Sequence, residues 1–208
     1  MPIARAAALV LLLALAGCGS EPNVAVDPGG DPGGSSTPMP TEIPAAPGTV
    51  RTRDLATVMD TGSPELCLGP VAESYPPQCG GPALAGWDWA QHRGLFDHRG
   101  EIRWGTFLVT GTFDGTTFTV TDAVAGAVYD PAMTEPSQIP APATSYSEAE
   151  LNRIAEEVGK LPGAEGGYAT DGHVLVDVVN DDGSLQDWVD GEYGANVVLV
   201  TSALVPAR

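Results

Sequence analysis

Four sets of side chains have types and spacings that could do chemistry. His92 and His98 lie in the run His92-Arg-Gly-Leu-Phe-Asp-His98 with Asp88 and Asp97 close by, and could give imidazole and carboxylate ligands to zinc, or an acid–base pair for hydrolysis. The run fits no standard zinc spacing, and loop histidines are more often simply solvated. Asn180-Asp-Asp-Gly183, followed by Asp187, Asp190 and Glu192, has the look of a calcium loop. With Gly183 at the sixth position of an EF-hand, however, the first and twelfth ligand positions fall on Val178 and Val189, so that reading fails. Two readings stay open there: a cation site from Asp181, Asp182 and Asp187, or a strand-to-helix turn whose carboxylates favour the positive end of a helix. Trp87, Trp89 and Trp104, with Tyr75 and Phe96, could form an aromatic platform for sugar or peptide, or the core of a small β-domain. Cys67 and Cys79 pair as a disulfide if the compartment is oxidising, the alternative being a reactive thiol beside His92, His98 or His173.

These sets are not joined by any familiar catalytic signature. The sequence contains no Gly-x-Ser-x-Gly elbow, Ser-x-x-Lys, His-Glu-x-x-His, phosphate loop or dinucleotide fingerprint, and no cofactor is expected. Twenty-seven Asp and Glu against nine Lys and Arg give 208 residues a net charge of -18, which repels phosphate backbones and excludes nucleic acid as a ligand.

The compartment follows from the N-terminus. Arg5 precedes the apolar run Ala6 to Leu15, which is too short to cross a ~30 Å hydrocarbon core as a helix, and the run ends in Leu15-Ala16-Gly17-Cys18. This stretch resembles the lipobox of bacterial lipoproteins. The resemblance implies a signal peptide over 1–17, cleavage before Cys18, and a diacylglyceryl group on its thiol with palmitate-type chains. Two or more acyl chains anchor stably where one does not. The expected location is the cell membrane, lipid-anchored, on its extracytoplasmic face.

The elements that must position the chemistry come next. Residues 18–49 are rich in Gly, Pro, Ser and Asp, with little to bury, and read as a lipidated, disordered tether. Residues 50–128 read as a β-rich domain stapled by Cys67–Cys79, a small barrel similar to an OB-fold. Its clearest part is Trp104 to Asp122, where Asp114-Gly115 signals a two-residue hairpin turn. Phe113 is then expected opposite Thr116, and Gly111 opposite Phe118, with Phe107, Val109, Phe113, Phe118 and Val120 on one face. Residues 129–146, with four prolines, read as a linker. Residues 147–208 read as an αβαβ half: Ser147 and Glu150 form a capping box, Leu151, Ile154, Ala155, Val158 and Leu161 form one stripe, and strand, short helix and strand follow as a βαβ unit with a parallel pair. The fold class expected is α+β.

Leu66-Cys-Leu-Gly69, Pro76-Pro-Gln-Cys-Gly-Gly81, Gly86-Trp-Asp-Trp89, Val109-Thr-Gly-Thr-Phe-Asp-Gly115 and Asp181-Asp-Gly-Ser-Leu-Gln186 resemble segments of actinobacterial envelope lipoproteins. That resemblance spans residues 50–206, brings no catalytic residue, and implies surface anchoring alone. The expected function is a non-catalytic binding or interaction module that meets an envelope protein or cell-wall partner. The alternatives are a small envelope hydrolase or metal-dependent enzyme using His92 and His98, and a structural accessory of a secretion or cell-wall complex that selects a basic partner.

Overall fold

Residues 50 to 125 form β1 (Val50–Thr52), β2 (Ala56–Asp60), β3 (Pro64–Cys67), β4 (Ala83–Ala85), β5 (Asp97–Arg99), β6 (Ile102–Phe113) and β7 (Thr117–Ala125), with period-two alternation of buried residues clearest in β6. In the computed structural model, which describes residues 37–130 and 139–207, five of these strands close into a barrel. Around the ring the order is β2, β3, β4, β7, β6 and back to β2. Every neighbour is antiparallel except β4 and β7, where Leu84 sits beside Phe118 in a parallel pair. Val58, Leu66, Leu84, Phe107, Val109, Phe113 and Phe118 point inward and are buried. Each such side chain contributes roughly 1.5–3 kcal/mol by leaving water. The expected small barrel is therefore present. The signal peptide over 1–17, Cys18, the tether as far as residue 36 and the 131–138 part of the linker lie outside the described residues.

The β6–β7 hairpin forms, but with another register. Phe113 faces Phe118 and Gly111 faces Val120, and a bulge between Thr110 and Gly111 then puts Val109 opposite Ala123. The reason lies in the turn. The carboxylate Oδ1 of Asp114 accepts from the backbone N–H of Thr116 at 2.9 Å and of Thr117 at 2.7 Å, and from the Thr116 hydroxyl at 2.9 Å. A side chain that satisfies two backbone donors widens the expected two-residue loop to four. The shift by two residues keeps Phe113 and Phe118 on the expected inner face. Phe118 still covers Gly111, now diagonally: a Cβ at Gly111 would lie 2.6 Å from the Phe118 ring and 2.1 Å from the Thr119 carbonyl.

The disulfide between Cys67 and Cys79 is present, with Cα atoms 5.8 Å apart. It fastens the long β3–β4 connection to the outside of the barrel, where Cys67 packs with Met59 and Trp104. The reactive-thiol alternative falls with it.

The C-terminal part is a second layer: α1 (Glu148–Val158), β8 (Ala164–Thr170), β9 (His173–Val178), α2 (Ser184–Tyr193), β10 (Val198–Ser202) and β11 (Leu204–Pro206). The order differs from a simple αβαβ alternation, because β8 forms an antiparallel hairpin with β9 before α2 begins. Gly166 and Gly167 deprive β8 of an alternating pattern, and one face of it is occupied by α1, where a Cβ on Gly167 would meet the Ala155 carbonyl at 2.7 Å. β9 and β10 pair in parallel across α2, Val198 beside Val174 through Ser202 beside Val178. The capping box of α1 is formed, Ser147 N–H donating to Glu150 Oε2 at 2.8 Å and Glu150 N–H to Ser147 Oγ at 3.4 Å. Leu151, Ile154, Ala155, Val158 and Leu161 are buried as the stripe requires.

Two features tie the layers together. β11 returns to the barrel and pairs with β1, Val50 opposite Pro206, and the described residues belong to one compact unit. Residues 37–49, expected as the end of a free tether, are packed instead. Met39 and Ile43 rest on the two cores, the Trp188 indole N–H donates to the Thr37 carbonyl at 2.9 Å, and the buried Asn180 amide donates to the Pro44 carbonyl at 2.8 Å. The Ala46 N–H also donates to the Phe113 carbonyl at 2.9 Å and the Ala207 N–H to the Thr49 carbonyl at 3.0 Å, so that apolar contacts and four long-range hydrogen bonds hold a segment whose composition alone would leave it free.

Candidate functional site

The chain leaves β4 at Gly86, whose φ of +78° suits a residue without Cβ. Asp88 is extended and caps a single 3-10 turn, Trp89–His92, by accepting the Ala90 N–H at 2.9 Å. This turn puts Trp89 into the barrel end, 6% exposed, with its indole N–H donating to Asp60 Oδ2 at 2.8 Å. Trp87 packs edge-on against Trp89 at 5.2 Å and against Phe107 at 4.9 Å. Its indole N–H is buried and has no acceptor among the described residues. His92 stacks on Trp87 with ring centres 4.3 Å apart and planes 15° from parallel.

This stack is one wall of a groove of about 570 Å³. Asp88, Gln91 and Leu95 extend that wall, and residues 120–125 of β7 form the other. Burial pushes the His92 imidazole below its ordinary range, against the opposing pull of the Asp88 carboxylate. At neutral pH the ring is therefore an uncharged hydrogen-bonding face, not a cation. The groove offers aromatic surface, carboxylates at Asp88 and Asp122, and strand backbone, a combination suited to binding an extended ligand.

The sequence-derived sets separate in space. Trp87 and His92 line the groove, and the buried Trp89 packs edge-on behind Trp87. Trp104 lies on the outer side of the barrel, edge-on to Tyr75 at 5.3 Å, so the three tryptophans form no single platform. His98 is exposed on β5 opposite Arg103 and, unlike His92, does not line the groove. His173 is buried, its Nδ1 2.8 Å from the Asn196 carbonyl.

The acidic run forms the strand-to-helix turn. Asp181 Oδ1 accepts from the Gly183 and Leu185 N–H groups at 2.9 Å each, and Asp182 Oδ1 accepts from Ser184 N–H at 3.1 Å. Hydrogen bonds from the Ser184 side chain and backbone N–H hold the Asp182 carboxyl below its ordinary range. Asp187 sits in the first turn of α2. Among the described residues, no group of three His, Cys, Asp or Glu side chains converges so as to hold a metal ion.

The β7 wall escaped the sequence reading. The hairpin pattern carries strand only as far as Asp122, and which edge stays open depends on how short β4 is, of which Ala83-Leu-Ala85 carries no signal. No family model, curated protein or solved structure matches the chain.

Proposed function

We propose that this chain is a bacterial lipoprotein moored through Cys18 to the extracytoplasmic face of the cell membrane, and that its folded body is a non-catalytic binding module. Leu15-Ala16-Gly17-Cys18 supports the mooring. The barrel, in this reading, is of OB type, with the net charge of -18 turning away nucleic acid.

The observation that carries the module reading is how the polar side chains are engaged. Asp60, Asp88, Asp114, Asp181 and Asp182 accept backbone or indole N–H bonds, while the groove presents aromatic and backbone surface. That engagement of the carboxylates in holding turns, beside an aromatic and backbone surface, supports binding over catalysis. That His92 lines the groove while His98 does not weighs against a hydrolytic or metal-dependent role for the two together.

The test is fractionation of cells expressing the full chain. The wild type is expected in the membrane fraction, with diacylglyceryl on the Cys18 sulfur by mass spectrometry, and Cys18→Ser in the soluble fraction. Identical partition of the two overturns the mooring. Turnover of an envelope substrate by the purified full chain, abolished by His92→Ala, overturns the module reading.

A further inference from the structure

We infer that the groove takes an extended cationic peptide, which joins the barrel as an added strand along residues 120–125 of β7. The inference rests on the binding-module reading and names the class of its ligand.

The first ground is an open sheet edge. β4 pairs with β7 only at Thr117, Phe118 and Thr119, and beyond that point β7 pairs, among the described residues, with β6 alone. Gly86 is where the chain departs: its Cβ position lies 3.5 Å from the Val120 carbonyl oxygen. From there the 86–95 segment swings away, and the space it leaves along β7 is the 570 Å³ groove. Backbone N–H and C=O groups on a strand edge require partners, and an extended peptide supplies them in register. Six residues of strand run for about 17 Å, enough for a ligand of five or six residues.

The second ground is charge and surface. Asp88 and Asp122 line the groove and no Lys or Arg does. The whole chain carries -18, so a ligand with Lys or Arg is drawn in and an acidic one is repelled. Leu95, 41% exposed, and Val128, 72% exposed, flank the groove and suit apolar residues at alternate positions. The ligand therefore alternates basic and β-branched residues.

The test uses the full-length protein in detergent and a fluorescein-labelled peptide, Thr-Val-Lys-Val-Lys-Val-Thr. Its controls are a peptide with Glu in place of Lys and one N-methylated at alternate backbone nitrogens. Anisotropy is expected to show binding of the Lys peptide and about ten-fold weaker binding of both controls. Asp122→Lys, an exposed change, is expected to weaken the Lys peptide about five-fold. Hydrogen exchange at residues 120–125 should slow when that peptide is bound. No binding of the Lys peptide, equal binding of all three, or binding with exchange at 120–125 unchanged overturns the inference. Turnover of an envelope substrate by wild type and His92→Ala is read separately, so failure here is distinguishable from failure of the binding-module reading.

Discussion

The indole N–H of Trp89 donates to the Asp60 carboxylate at 2.8 Å, across 29 residues of sequence, and so ties the groove-forming segment to the end of β2. The other oxygen of Asp60 accepts the Gly62 N–H at 2.9 Å. Asp60→Ala leaves a buried indole donor without an acceptor, at a cost of about 2 kcal/mol. Asp60→Asn keeps an acceptor and is expected to lose about half as much. Urea unfolding followed by tryptophan fluorescence measures both, and an unchanged midpoint for Asp60→Ala would show that the bond contributes nothing.

Gly111 is the narrowest point of the β6–β7 hairpin. A methyl group there meets the Thr119 carbonyl at 2.1 Å, whereas nothing lies within 4 Å of one at Gly80. Gly111→Ala should destabilise by about 3 kcal/mol, and Gly80→Ala by about 0.5 kcal/mol or less. Thermal melts of the two variants side by side decide the matter.

Carboxylates in the fold respond to pH with opposite signs. Hydrogen bonds from Thr117 and Thr116 hold Asp114 low, those from Ser147 hold Glu150 low, and those from Ser184 hold Asp182 low. Each releases its proton more readily folded than unfolded, so the stability it adds is present above the ordinary carboxylate range and is lost as pH falls through it. Glu165 is the reverse: partial desolvation beside Gly69 raises its carboxyl, so its ionisation opposes folding increasingly as pH rises from the ordinary glutamate range through that raised value. Glu165→Gln should therefore be more stable than wild type at pH 7, with the difference vanishing below the ordinary glutamate range. Denaturant midpoints at pH 3.5 and about 7 test the sign; a destabilised Gln variant at neutral pH would refute it.

Removing the Cys67–Cys79 bridge by double substitution to serine should cost about 3 kcal/mol, the chain-entropy value for a loop of this length. Because the bridge fastens a loop to the barrel's outside, the loss should appear as easier cleavage between residues 68 and 82 before global unfolding. Limited proteolysis of reduced and oxidised protein reads this directly.

Residues 37–49 should behave as part of the body. A chain starting at residue 50 loses the packing of Met39 and Ile43 and strands the Asn180 amide, 3% exposed, without its Pro44 carbonyl. It should melt well below one starting at residue 37, by about 2–4 kcal/mol. Equal melting temperatures would return the segment to the tether.

What could be read from residue order was local. The capping box at Ser147 and Glu150, the inward set of Phe107, Val109, Phe113 and Phe118, and the Cys67–Cys79 pair all rest on neighbours or on one clear period. The hairpin register did not follow, because the Asp114 side chain takes over the turn from the backbone. β8 was hidden by Gly166 and Gly167, which carry no alternation. The groove was half visible: Trp87, Trp89 and His92 stood out by type, but the facing edge of β7 exists only because β4 stops after three residues, and Trp104 alternates to the outer face. Closure between distant strands leaves no trace in any short window.

The pairing of β11 with β1 brings residues 204–206 beside residues 50–52. On its other side β1 is met by β6, Val50 opposite Gly111. A chain delivered amino end first can therefore seat one flank of β1 early, whereas the second flank waits for β11, and a product truncated just short of Leu204 would leave that flank bare.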